Sequence, residues 1–178
     1  MHVKRGMAPL CLAVALAAGA LFYWRSSGDH TQTQNTSSLR SAPDFELADA
    51  LGAKHKLSEF RGNVVIIHFW AAWCPPCLGE IPNWVELANE FKGKKLKLIA
   101  ISADPKWENA LKILPTEKAQ GITSLLDSST EVPELFGTYQ YPETYVLNSD
   151  LKVVMKWVGS QDWKNPAILT FLTKLIPS

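Results

Sequence analysis

Val64-Val65-Ile66-Ile67-His68-Phe69-Trp70-Ala71-Ala72-Trp73-Cys74-Pro75-Pro76-Cys77 is the stretch whose reading decides the fold of this chain. Its first half is a nearly continuous apolar run, the pattern of a strand buried on both faces in a parallel arrangement. Its second half places two cysteines three positions apart where that strand ends, and a helical pattern follows. In that context the pair reads as redox-active. On the first turn of a helix, residues i and i+3 share a face, which brings their Cβ atoms toward the separation of about 3.5–4.5 Å that a disulfide requires. Unpaired N–H groups and partial positive charge at the helix start favour a thiolate there. Cys74 is therefore the expected attacking nucleophile, and Cys77, one turn deeper, the resolving thiol.

Two other uses of the motif compete with this one. Half of a zinc site needs further ligands, because zinc normally takes four. The only other cysteine is Cys11, and His2, His30, His55 and His68 show no ligand spacing. An inert structural disulfide fits poorly with the strand-to-helix context and the flanking Trp73. No metal or organic cofactor is expected.

The chain has 178 residues and a formal net charge of +1. That length favours one domain with accessory segments, and the balanced charge gives no basic surface for nucleic acid. Seven tryptophans and 47% hydrophobic residues allow a sizeable core. After Lys4 and Arg5, residues 8–24 carry no charge and end in Phe22-Tyr23-Trp24 before Arg25. These 17 residues reach the lower limit of a spanning helix, about 17–25 residues. The positive charge ahead of the run places the N-terminus in the cytoplasm and the rest beyond the membrane. A cleaved signal peptide is the alternative, since Ala18-Gly19-Ala20 resembles a cleavage site. The uncleaved inner-membrane anchor is preferred, with Cys11 a small apolar member of it. Residues 26–41 are polar and read as a tether. The expected organisation is therefore an anchor or signal segment over 1–25, a linker over 26–41 and one domain over 42–178. An exported dithiol becomes a disulfide unless something reduces it, so a redox partner is implied.

Within the domain, short alternating stretches around Phe45-Glu46-Leu47 and Lys54-His55-Lys56-Leu57 predict a hairpin. Ser58-Glu59-Phe60 predicts one helical turn. Strands are expected over 64–70, 96–102 and 122–126, and an antiparallel pair over 144–147 and 152–157. Helices are expected over 75–92, kinked at Pro82 and stopped by Gly93, over 107–119, disturbed by Pro115, over 132–136 as a single turn, and over 165–176. The stretch 114–121 gives no clear element. Alternating strands and helices followed by a hairpin and a helix give an α/β fold, a central mixed sheet with helices on both faces.

Phe69-Trp70-Ala71-Ala72-Trp73-Cys74-Pro75-Pro76-Cys77, with Glu80 and Pro82 behind it, resembles the extracytoplasmic thioredoxin-like proteins of the TlpA/ResA type, including CcmG (DsbE). The resemblance runs from about residue 42 to the end. It includes Ala42-Pro43-Asp44-Phe45, Leu57-Ser58-Glu59-Phe60-Arg61-Gly62 and Tyr141-Pro142-Glu143-Thr144-Tyr145-Val146-Leu147. It implies a thioredoxin fold with an N-terminal hairpin extension. It also implies that Pro142 is cis, faces the cysteine pair and presents the Tyr141 backbone to a bound substrate, and that Glu80 sits beside the thiols and moves protons. A partly buried carboxyl has its pKa raised, which suits that role. On this reading Trp73, Pro75, Pro76, Tyr141, Glu143 and Thr144 form the substrate groove.

The chain departs from the pattern at two positions. Tyr141 stands where small or apolar residues are common. His68 lies where thioredoxins carry a buried aspartate, and reads either as a satisfied core histidine or as a proton relay to Cys77. Pro75 and Pro76 remove two backbone donors, which works against a very low thiol pKa at Cys74.

The chemistry expected is thiol–disulfide exchange, most simply the reduction of substrate disulfides. By resemblance, the substrate is a cysteine pair of an apocytochrome c and the electron donor a membrane protein of the DsbD/CcdA type. Three alternatives stay open: an oxidase or isomerase of secreted proteins, a binding or chaperone module with a structural disulfide, and electron delivery to a peroxidase or repair enzyme.

Overall fold

The structure, a computed structural model, describes residues 39–177. The predicted anchor over 1–25 and nearly all of the predicted linker lie outside the described residues. Among the described residues, no helix is long and apolar enough to cross a membrane.

A two-stranded antiparallel hairpin opens the described chain, with β1 at Glu46–Ala48 and β2 at Lys54–Lys56. A 3-10 turn, Leu57–Phe60, leads into β3 at Val64–Trp70. Helix α1, Pro75–Glu90, follows directly, then β4 at Leu96–Ser102, α2 at Trp107–Ile113 and β5 at Ile122–Leu126. The chain closes with α3 at Glu131–Phe136, β6 at Glu143–Leu147, β7 at Val153–Val158 and α4 at Pro166–Leu175. The main sheet has the order β5-β4-β3-β6-β7. Strands β3, β4 and β5 run parallel, while β6 and β7 are antiparallel additions on the other side of β3. This is the mixed sheet the sequence predicts.

The central strand explains its own composition. All seven residues of β3 are buried, so neither set of alternating side chains meets water. Val64, Ile66 and Trp70 join a core layer with Ile81, Trp84 and Leu87 of α1, Ala110 of α2 and Leu172 of α4. Val65, Ile67 and Phe69 point the other way, into a layer with Val132 and Phe136 of α3, Phe45 and Leu57. Two parallel crossovers stepping in one direction across the sheet, both right-handed, place α1 and α2 on one face. That leaves α3 to cover the other.

Two helix boundaries are set by local chemistry. The predicted helix over 107–119 ends at Ile113, because Pro115 disfavours the helical region for the residue before it, and Leu114 has φ −121° and ψ 78°. Helix α1, in contrast, runs on through Pro82. Past its end Gly93 takes φ +78°, a conformation open to glycine at little cost.

Leu172 is fully buried between α4 and the sheet, whereas Leu135 of α3 is exposed. Leu172→Ala should lower unfolding free energy by about 2–5 kcal/mol, and Leu135→Ala should change it by no more than about 0.5 kcal/mol, both read from urea denaturation. Equal effects would contradict this packing.

Candidate active site

The site forms where β3 hands over to α1. Asp104, buried just past the end of β4, accepts from the Ala72 amide (2.9 Å) and from Ser102 Oγ (2.7 Å). That carboxylate fixes the loop leading to Cys74, and the Cys74 amide then donates to the Ala71 carbonyl (3.1 Å). Cys74 is the N-cap of α1, extended at φ −101° and ψ 99°. Pro75 and Pro76 fill the first two helical positions, where a missing N–H costs nothing because those amides have no intrahelical partner. The first amide that can reach back is that of Cys77, and it donates to Cys74 Sγ (3.3 Å).

Cys74 and Cys77 are joined by a disulfide. Cys77 is 0% exposed and Cys74 4%, so of the two cysteines only the first reaches the surface at all. The peptide Tyr141–Pro142 is cis. The Tyr141 ring meets Trp73 edge to face, centroids 5.6 Å apart, which brings the loop ahead of the cysteines against the loop carrying Pro142. Trp73 is 61% exposed. The cysteine head of α1 is thus flanked by an aromatic surface. Two clefts elsewhere, of ≈ 240 Å³ around His55, Trp107 and Ser124 and of ≈ 560 Å³ around Pro82, Val85 and Ile113, include neither cysteine.

Beneath the cysteines lies a polar pair in apolar surroundings. Glu80 sits one turn past Cys77 on the same helix face and is buried. Its Oε1 accepts from the Gln161 amide and from Trp163 Nε1. Its Oε2 has no hydrogen-bond partner and stands 3.8 Å from His68 Nε2. His68 Nδ1 is 2.9 Å from Thr144 Oγ1. Trp84 lies over the imidazole at 4.7 Å between centroids, and Trp163 meets it edge-on at 6.3 Å. Burial pushes the Glu80 carboxyl up to about 6, against the two donors on Oε1, which pull it down. Burial alone holds the His68 imidazole down at about 3.

The structure therefore brings Cys74, Trp73, Pro75, Pro76 and Tyr141 together around the head of α1, with Cys77, Glu80 and His68 buried behind them. Two residues expected in the groove are elsewhere. Glu143 and Thr144 are almost wholly buried because β6 is an interior strand, paired with both β3 and β7. Glu143 Oε2 accepts from Tyr145 Oη (3.0 Å) and pairs with Lys156 Nζ (3.1 Å), and Thr144 is engaged with His68. Their side chains do not line a groove. The sequence reading also passed over Asp104, Gln161 and Trp163. Asp104 left a signal, a carboxylate just past the C-terminal end of a parallel strand beside β3. Gln161 and Trp163 left none, because only the folded chain brings them to Glu80.

Residues 39–156 match the family model described as the AhpC/TSA family. The thiol-disulfide oxidoreductase ResA of Bacillus thuringiensis subsp. konkukian is 26% identical over 166 residues, covering 93% of this chain and 94% of that protein. ResA of Bacillus subtilis is 28% identical over 121 residues, covering 67% and 66%. Among solved structures, a Chlorobium tepidum protein assigned as the thiol:disulfide interchange protein DsbE superimposes with a TM-score of 0.68 at 29% identity, covering 77% of this chain and 96% of that one. The mixed sheet with its N-terminal hairpin is thus a thioredoxin fold. The chain belongs to the AhpC/TSA family and, within it, to the thioredoxin-like TlpA/ResA/CcmG (DsbE) group of thiol-disulfide oxidoreductases.

Proposed function

We propose that this chain is a reductase of protein disulfides acting outside the cytoplasm, in the biogenesis of c-type cytochromes. The observation that carries the reading is a disulfide at a helix start whose first cysteine is marginally exposed, with an exposed Trp73 packed on a half-buried Tyr141 beside it and a buried carboxyl one turn behind. ResA and DsbE relatives support the pathway. Residues 8–24 anchor the chain in the inner membrane, 26–41 tether it, and 42–178 carry the chemistry.

In the forward step the Cys74 thiolate attacks one sulfur of a substrate disulfide; the substrate S–S bond breaks, its other sulfur leaves as a thiolate that takes a proton from water, and a mixed disulfide forms. Cys77 gives its proton to the Glu80 carboxylate, and its thiolate attacks Cys74 Sγ. The Cys74–substrate bond breaks, and the substrate leaves as a thiolate that takes a proton from water. Two electrons pass from the cysteine pair to the substrate, and a membrane donor of the DsbD/CcdA type restores them. Trp73 and Tyr141 dock the substrate, whose backbone pairs beside Pro142. The prolines favour the reducing direction: with no N–H on Pro75 or Pro76, the Cys74 thiolate has few donors to stabilise it, and a weakly stabilised thiolate makes a weak oxidant.

The full-length chain should equilibrate with dithiothreitol buffers at a potential near thioredoxin's, about −270 mV. A value near the strong oxidants, about −120 mV, would move the assignment to disulfide formation. Cys77→Ser should accumulate a mixed disulfide with an oxidised Cys-x-x-Cys-His peptide, and Cys74→Ser should form none. An adduct on the Cys74→Ser chain would reverse the assigned roles.

Glu80 has a sharper signature. Because the carboxylate must be ionised to take the Cys77 proton, resolution of the mixed disulfide should speed up as pH rises through about 6. Glu80→Gln should remove that limb and slow resolution by about 10²- to 10⁴-fold. Stability should move the opposite way. The folded chain holds a proton that the unfolded chain has already released, so wild-type stability falls as pH rises from about 4.5 through about 6, by about 2 kcal/mol in all. Glu80→Gln should show no such fall in urea titrations at matched pH.

A further inference from the structure

The buried pair beneath the cysteines holds an asymmetry that the exchange mechanism leaves unused. Glu80 Oε1 is satisfied by two N–H donors, from Gln161 and Trp163. Oε2 is satisfied by none. A proton arriving on this carboxyl therefore belongs on Oε2, since the other oxygen is already an acceptor twice over. The polar atom that Oε2 faces is His68 Nε2, at 3.8 Å, and it too has no partner. Two buried polar atoms left facing each other cost about 1–3 kcal/mol each, unless one state of the protein joins them.

The tautomer that joins them follows from the other side of the ring. His68 Nδ1 stands 2.9 Å from Thr144 Oγ1. If Nδ1–H donates to that hydroxyl, Nε2 carries a lone pair 3.8 Å from Oε2, a gap that must close to hydrogen-bond distance for the two to join. Trp84 does not compete for this lone pair: its ring lies tilted only 31° from the imidazole plane, over the face, while the Nε2 lone pair lies in the plane. Trp84 of α1, Thr144 of β6, and Gln161 and Trp163 from the segment after β7 pack on the pair, with Trp157 of β7 behind Trp163. None of these side chains ionises near neutral pH, and Cys77, one turn before Glu80, is held in the disulfide. Transferring the proton fully to His68 would leave a cation and an anion in this tryptophan-lined layer, which is costly without further donors.

We propose that His68 is a positioning residue for the proton carrier, its neutral imidazole fixed by Thr144 and accepting the Glu80 proton through an Oε2–H···Nε2 hydrogen bond. The inference rests on the reading of Glu80 as the base for Cys77. When Cys77 gives up its proton, that proton becomes the O–H of Oε2 and is held toward the sheet, away from the sulfurs. No covalent bond to a His68 nitrogen forms or breaks, so the histidine returns unchanged. The low pKa of the buried imidazole agrees with a ring that stays neutral throughout.

The first measurement needs no variant. In the full-length chain labelled with ¹⁵N-histidine and ¹³C-glutamate, Nδ1 of His68 should be the protonated nitrogen from pH 5 to 8, with Nε2 an acceptor. The Nε2 shift should move with the same midpoint as the Glu80 carboxyl carbon. A proton on Nε2 in this range, or an Nε2 shift that stays flat while Glu80 titrates, would overturn the proposal. The second measurement is functional. In His68→Asn the acid form of Glu80 loses its acceptor and the site gains room for water, so the pH midpoint of mixed-disulfide resolution should fall by about one unit. An unmoved or raised midpoint would count against the positioning role. Glu80→Gln separates the two readings: if that variant keeps the pH limb, Glu80 is not the base and the exchange mechanism fails, whereas the nitrogen shifts still report on the hydrogen bond itself.

Discussion

A carboxyl and an imidazole share one dry space between β3 and α1, and much of the active-site architecture is organised by the need to satisfy them. Oε1 of Glu80 draws the Gln161 amide and the Trp163 indole onto the helix, which ties the segment after β7 to the head of α1. Ser160 Oγ adds a bond to the Pro76 carbonyl (3.1 Å), close to the cysteines. On the opposite side His68 binds Thr144, and so joins β3 to β6 through side chains as well as through the ladder. Trp163 meets Trp84 and Trp157 edge to face at 5.9 and 5.6 Å, closing the space against water. Desolvation that raises the Glu80 pKa and packing that holds α4 and β7 against α1 are thus one feature seen twice.

This arrangement divides the work around the disulfide. On the solvent side, an exposed Trp73 packs edge to face on a half-buried Tyr141. On the inner side, Glu80 and His68 place two ionisable groups in a buried layer that disfavours charge. The cysteines lie between, the first barely exposed and the second sealed. Asp104 completes the frame from a third direction, since its carboxylate holds the Ala72 amide and thereby sets where Cys74 begins the helix. Each constraint acts on the head of α1, the one place where a shift of the backbone would move both sulfurs together.

The strands and α1 were legible from the sequence because their signals are local. A seven-residue apolar run, two prolines at a helix start and a glycine past its end each carry their own physics. His68 was legible as a buried polar residue, since every neighbour in its strand is apolar, but its partner was not: Thr144 is 76 positions away. Pairing at that range is decided by strand order, which periodicity does not encode. The same gap explains Glu143 and Thr144. Adjacency to Pro142 placed them near the site, yet alternation along an interior strand sends Glu143 toward Tyr145 and Lys156 and Thr144 toward His68. The early end of α2 was half visible in Pro115, whose effect on the preceding residue is stronger than the helical pattern it interrupts.

Poise and proton supply are governed here by different parts of the chain. The stability of the Cys74 thiolate depends on the donors within its own helix turn. With Pro75 and Pro76 in place, the Cys77 amide is the first backbone donor in α1, and it is the one bonded to Cys74 Sγ. That is a short-range property, fixed by four consecutive residues. In the proposed mechanism, proton removal from Cys77 depends instead on Glu80 and on residues that four other segments bring to it. Exchanging the dipeptide between the cysteines should therefore retune the driving force for reduction while leaving the proton step intact, and altering His68 should do the reverse. A fold that separates the two in this way can adapt to a new electron donor or a new substrate without rebuilding the core that makes the second sulfur reactive.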